Sequence, residues 1–121
     1  MGYNACEGLE VWKRTCQLAV RVYKSLEDCK DFGLKNQMTR ASVSVASNIA
    51  EGAERGSAPD YKRFLSMAKG SAAELRTQLH IGKAVGLVEE AAASKMVAEL
   101  EEISAMLQGL ANSLNQNTLK T

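Results

Sequence analysis

The sequence predicts an all-α fold, an antiparallel up-down-up-down four-helix bundle, on three observations. First, the composition favours helix. Leu, Ala, Glu and Lys are abundant, there is one proline, and aromatic residues make up only 5% of the chain. Second, four segments repeat apolar residues at steps of three and four, the period of one helix face. Third, the links between these segments are short and rich in turn residues, so consecutive helices should lie side by side. With 121 residues, 45% of them hydrophobic, the chain should form one domain, residues 1–121, around a real core.

Helix 1 is expected over residues 8–26, with Leu9, Trp12, Cys16, Ala19, Tyr23 and Leu26 as its core face. The turn EDCKDFG follows, with Gly33 as the stop. Helix 2 is expected over residues 34–54 on a face of Leu34, Met38, Ala41, Val45 and Ile49. The alternating fragment SVSV inside it resembles a strand, but its flanks keep the helical period. In the link ERGSAPD, Gly56 suits the left-handed position after a helix end. Ser57 suits an N-cap, Pro59 falls in the first turn, and Asp60 favours the helix N-terminus. Helix 3 then covers residues 58–85 with Tyr61, Phe64, Ala68, Ser71, Leu75, Leu79 and Gly82 inward. Helix 4 covers residues 89–115, where Met96, Leu100, Ile103, Leu107, Leu110 and Leu114 make a sustained heptad seam. The tail NQNTLKT is expected to fray.

Helix 2 raises a question of packing. The run ASVSVASNIA has no charge, yet four of its ten residues are Ser or Asn. At about 100° per residue, Gln37, Ser44, Asn48, Glu51 and Arg55 gather on one side of the core face, and Ala46, Ala50, Ala53 and Val43 on the other. A helix small or apolar nearly all round is enclosed by more than one neighbour. It should therefore pack in its own bundle and also against another subunit, giving a homo-oligomer. The polar side needs partners if it is buried. The expected network joins Arg40, Ser44, Asn48, Glu51 and Arg55 to Ser71, Glu74 and Gln78 of helix 3.

Catalytic signals are few, and no catalytic residue is assigned. His80 is the single histidine and lies off the core face. Glu51 and Glu74 lack the Glu-x-x-His pattern of a di-metal bundle site, so no metal or other cofactor is expected. GSAPDYK and KGSAAEL have no phosphate-loop spacing. Cys6, Cys16 and Cys29 match no zinc pattern and read as reduced cytoplasmic thiols. The first ten residues carry no secretory signal, Cys6 breaks a myristoylation pattern, and no apolar run could span a membrane.

Charge is more informative. Net charge is only +1, but residues 1–88 hold 13 basic and 9 acidic residues, against 2 and 5 in residues 89–121. Lys62, Lys69, Arg76 and Lys83 recur every seven residues on helix 3, and Lys13, Arg14, Arg21 and Lys24 share the outer side of helix 1. These eight are the candidate residues for binding RNA, DNA or an acidic protein. The competing expectation is salt bridges to Glu99, Glu101 and Glu102 of helix 4. A second functional class is an enzyme or small-ligand site at a subunit interface, around Arg40, Glu51 and Glu74.

QMTRASVSVASNIAEGAERGS followed by DYKRFLSMAKGSAAEL, with LEVWKRTCQLAVRVY before and QLHIGKAVGLV after, resembles a four-helix-bundle family. Its members are encoded in intervening sequences of bacterial 23S ribosomal RNA genes. The resemblance runs from about Leu9 to Leu114. It implies a bundle that assembles as a ring-like homopentamer. It also implies kinship with accessory proteins of diversity-generating retroelements, which bind nucleic acid and a reverse transcriptase.

Overall fold

The structure is a computed structural model that describes residues 9–120, with side chains for residues 9–114. The expectations for Cys6, Gly8 and the first residues lie outside that range. Four helices account for the secondary structure among the described residues: α1 (Glu10–Ser25), α2 (Phe32–Ala53), α3 (Ala58–Ala84) and α4 (Glu90–Lys120). Each packs on the next, and α4 also packs on α1, closing a four-helix bundle. No helix is long and apolar enough to cross a membrane among these residues.

The helix ends follow local hydrogen-bonding chemistry. Asp31 caps α2 by accepting from the Leu34 amide at 3.0 Å, because a carboxylate satisfies one of the free amides of a first turn. That cap starts α2 two residues before the expected position and leaves Gly33 inside the helix rather than stopping one. Ser57 caps α3 through the Asp60 amide at 3.3 Å, and Pro59 sits in the first turn. Gly56 adopts φ of 81°, the left-handed conformation its position after α2 demands. Glu89 caps α4 by accepting from the amides of Ala91 and Ala92, which holds its carboxyl below the usual value. α4 runs through Lys120, beyond the point where the tail was expected to fray.

The core is built from Met38, Val45 and Ile49 of α2, Leu65, Leu75 and Leu79 of α3, and Met96, Leu100, Ile103 and Leu107 of α4. On α1 the buried side is Val11, Thr15, Leu18 and Val22, continued by Leu26. This corrects the expected face. Trp12, Cys16 and Ala19 are half-buried on the flank, and Tyr23 is exposed. Both sets recur at steps of three and four, so periodicity alone does not choose between neighbouring strips. Thr15 disguises the inner one, and its hydroxyl is satisfied locally by donating to the Trp12 carbonyl at 2.7 Å.

Near the α2–α3 turn the two helices approach closely at Gly52. A Cβ there would fall 2.8 Å from the Phe64 Cβ, so only glycine allows this seat. Arg55 and Arg63 stack on the buried Phe64 ring, 4.8 and 4.6 Å from its centroid.

Candidate nucleic-acid interface

The α3 cations lie along the seam with α4. Lys62, Lys69, Arg76 and Lys83 are all half-buried there. Lys69 Nζ donates to Gln108 Oε1, and Lys83 Nζ donates to Ser94 Oγ at 3.1 Å. These rungs fall on α4 as they rise on α3. Ser94, Glu101 and Gln108 are themselves seven residues apart, so by the same register Glu101 comes opposite Arg76. Among the described residues, that pair does not close to an ion pair. The acceptors of Lys69 and Lys83 are neutral, so neither side chain is matched by a carboxylate there, and each keeps donors to spare. Lys62 and Lys69 also line a small cleft of about 180 Å³ with Ser66 and Gln108.

On α1 the four candidates separate. Lys13, Arg21 and Lys24 are exposed. Arg14 instead belongs to the bundle. Its Nε and Nη2 donate to both carboxylate oxygens of Glu99 at 2.8 and 2.7 Å, and Nη2 donates to Glu102 at 2.6 Å. The side chains of Arg14 and Glu99 are only 23% and 20% exposed. The Arg14 hydrogen bonds hold the Glu99 carboxyl below its usual range, and the two carboxylates hold the guanidinium protonated. Arg14 is therefore a clasp between α1 and α4 and is withdrawn from the candidate set. Its partners Glu99 and Glu102 were among the acids expected to form salt bridges, but no reading of one helix at a time could find the pairing.

The eight-residue polar network does not assemble as one. Ser44 and Ser71 share a hydrogen bond across α2 and α3 at 2.9 Å, and Asn48 Nδ2 donates to the Ser44 carbonyl and hydroxyl at 2.9 and 3.1 Å. Glu51 and Arg55 form a separate, exposed pair on α2 at 3.1 Å. Arg40 and Glu74 face a shared cleft of about 370 Å³ with Asn36, Gln37 and Ser44. Glu51 does not line it, so the expected Arg40–Glu51–Glu74 constellation is not brought together. Gln78 is buried at 6% exposure, and its Oε1 has no partner. The expectation set Arg40, Ser44, Asn48, Glu51 and Arg55 of α2 against Ser71, Glu74 and Gln78 of α3, but Arg40, Glu51, Arg55 and Glu74 are exposed and stand at the edge of the seam, in solvent.

Among the described residues, no three His, Cys, Asp or Glu side chains gather to hold a metal ion. His80 is exposed. Cys16 and Cys29 are free thiols, and burial pushes the Cys16 thiol up. Cys16 lies in a groove of about 370 Å³ between α1 and α2, with Trp12, Ala19, Val43, Ala46, Ser47 and Ala50. Nothing charged lines that groove.

No curated protein matches the chain. A crystal structure of a protein of unknown function from the S23 ribosomal protein family of Bacteroides thetaiotaomicron is similar in fold. It has a TM-score of 0.78 and 24% identity, over 84% of this chain and 97% of that one. The family model described as 23S rRNA-intervening sequence protein matches residues 7–109. Neither match names a retroelement accessory protein. A match over so much of the sequence, on a four-helix bundle of the same shape, places the chain in the 23S rRNA-intervening sequence protein family.

Proposed function

We propose that this chain is a non-enzymatic cytoplasmic scaffold, an antiparallel up-down-up-down bundle that assembles with copies of itself and binds nucleic acid along its basic faces. The observation that carries the reading is the α3–α4 seam. Four cations at seven-residue spacing line it, and Lys69 and Lys83 are held by neutral side chains rather than by carboxylates. The exposed Lys13, Arg21 and Lys24 of α1 extend the basic surface. The descending order of the α3–α4 rungs supports the antiparallel arrangement. The uncharged groove between α1 and α2 supports assembly, and the family resemblance implies five copies in a ring.

Neighbouring cations on α3 stand about 10 Å apart, from a rise of about 1.5 Å per residue. Duplex phosphates are closer than that, so binding by one subunit is weak and independent of base sequence. A ring repeats the seam and raises affinity through multivalency. The test is fluorescence anisotropy with labelled duplex RNA and DNA at low salt. Wild type should bind, and the Lys69→Glu/Arg76→Glu variant should lose most of that binding while keeping its helical circular dichroism. Wild-type binding that survives the double reversal would remove the seam from the reading.

A further inference from the structure

The side chains of Asn36, Gln37, Arg40 and Glu74 are exposed, and among the described residues none of them makes a hydrogen bond or ion pair within the subunit. Polar groups scattered over a surface are often like this, but these four are gathered. With Ala41 and Ser44 they line one cleft of about 370 Å³ at the α2–α3 seam. Two contacts fix the register of the helices there. Ser44 Oγ lies 2.9 Å from Ser71 Oγ, and a Cβ on Gly82 would lie 3.7 Å from a Leu34 methyl carbon. On that register Arg40 and Glu74 stand within about one turn of each other across the seam, yet they do not close an ion pair. Ala41, with only a methyl, leaves the space between them open.

The cleft is polarised. A guanidinium offers donors only, and a carboxylate acceptors only. The excess of acceptors on the α3 side also runs inward. Gln78, one turn past Glu74, is 6% exposed, and its Oε1 has no partner. Such an acceptor bears its desolvation cost until a donor reaches it. A simple anion drawn to Arg40 meets Glu74, and a simple cation drawn to Glu74 meets Arg40. Both are matched by one molecule that carries a carboxylate and an ammonium together. Asn36, Gln37 and Ser44 are neutral and can both donate and accept, which suits a polar, uncharged substituent on that molecule.

The geometry points to a binding site in the α2–α3 cleft for a free α-amino acid with a polar, uncharged side chain. Arg40 holds its carboxylate through parallel guanidinium hydrogen bonds, Glu74 holds its ammonium, and the amides of Asn36 and Gln37 meet its side chain. The volume of the cleft suits a small ligand. Both charged walls are exposed, so each ion pair is screened by solvent and affinity is weak, in the millimolar range. The site shares no residue with the basic α3–α4 seam and does not depend on nucleic-acid binding.

The test is a titration of isotope-labelled protein followed by its amide resonances, with L-glutamine, L-asparagine and L-serine as probes at millimolar concentration. At least one probe should shift resonances of residues 36–44 and 71–78 and leave the rest of the bundle in place. Blocking either charge of that probe, as its N-acetyl form or its α-carboxamide, should weaken binding by roughly tenfold or more. Arg40→Gln and Glu74→Gln should each lose the response and keep their helical circular dichroism, since both side chains are exposed. Glu51→Gln, outside the cleft, should respond as wild type does. No shift with any of the three probes overturns the proposal. So does equal binding of the blocked forms, or a response that survives both cleft variants.

Discussion

Gly52, Gly82, Gly109 and Gln78 each make a separate, measurable demand on the fold. A Cβ at Gly52 meets the Phe64 Cβ at 2.8 Å and Tyr61 at 3.1 Å, where neither neighbour can retreat easily. Gly52→Ala should therefore cost about 1–3 kcal/mol in urea unfolding, as overpacking does. A Cβ at Gly82 meets a Val88 methyl at 2.9 Å, the outer atom of a side chain in the α3–α4 link, so its cost should be smaller. Gly109→Ala is in open space and should stabilise by about 0.5–1 kcal/mol through helix propensity. Gln78 is the reverse of a satisfied buried polar group. Gln78→Met removes an amide whose oxygen has no partner and should be neutral or stabilising, since an orphaned acceptor already bears its desolvation cost. Asn48→Leu loses two hydrogen bonds to Ser44 but leaves the Ser44–Ser71 bond, so a loss of about 0.5–1.5 kcal/mol is expected. An unchanged unfolding midpoint for Asn48→Leu would mean that water replaces those bonds fully.

Pairs of helices are joined by different chemistry, and that decides how much of each was legible. The α2–α3 pair was read well, because Met38, Val45 and Ile49 of α2 and Phe64, Ala68 and Leu75 of α3, all buried, stand at helical spacing on the expected faces. α4 was read equally well, since its heptad seam admits one inner face. α1 was misread by one strip, because Val11–Leu18–Val22 and Trp12–Cys16–Ala19 are adjacent apolar strips and only the neighbours of α1 decide between them. The α3 stripe was legible as a stripe, and so was the seven-residue spacing of Ser94, Glu101 and Gln108. Their meeting required the register of two helices, which lies outside any single-helix pattern. The Arg14 clasp is likewise a property of the α1–α4 pair. Arg14→Met should cost about 1–2 kcal/mol at neutral pH, since it leaves a half-buried Glu99 without its partner. The folded Glu99 carboxyl is held below its ordinary value of 4.5, so the clasp contributes fully above that pH. Its contribution is lost as pH falls through the lower folded value. Unfolding midpoints of wild type and Arg14→Met should accordingly converge in acid and stay apart at pH 7.

For the whole molecule, the small net charge of +1 conceals an uneven distribution. Acids outnumber bases on α4, where Glu99 and Glu102 are consumed by Arg14, while Lys69 and Lys83 of α3 have neutral partners. The resulting basic surface is modest per subunit, so a functional reading based on it depends on repetition by assembly. Phosphate neutralisation releases counterions, which makes such binding fall linearly in log affinity with log salt. It should also be indifferent to base sequence, since no exposed aromatic side chain lies among the α3 cations to stack on bases. The most direct measurement is an anisotropy titration of wild-type protein into two labelled duplexes of unrelated sequence, repeated over a series of salt concentrations from low to physiological. The account predicts equal affinity for the two duplexes and a steep loss of binding as salt rises. No binding at the lowest salt, or binding that is indifferent to salt, would contradict it.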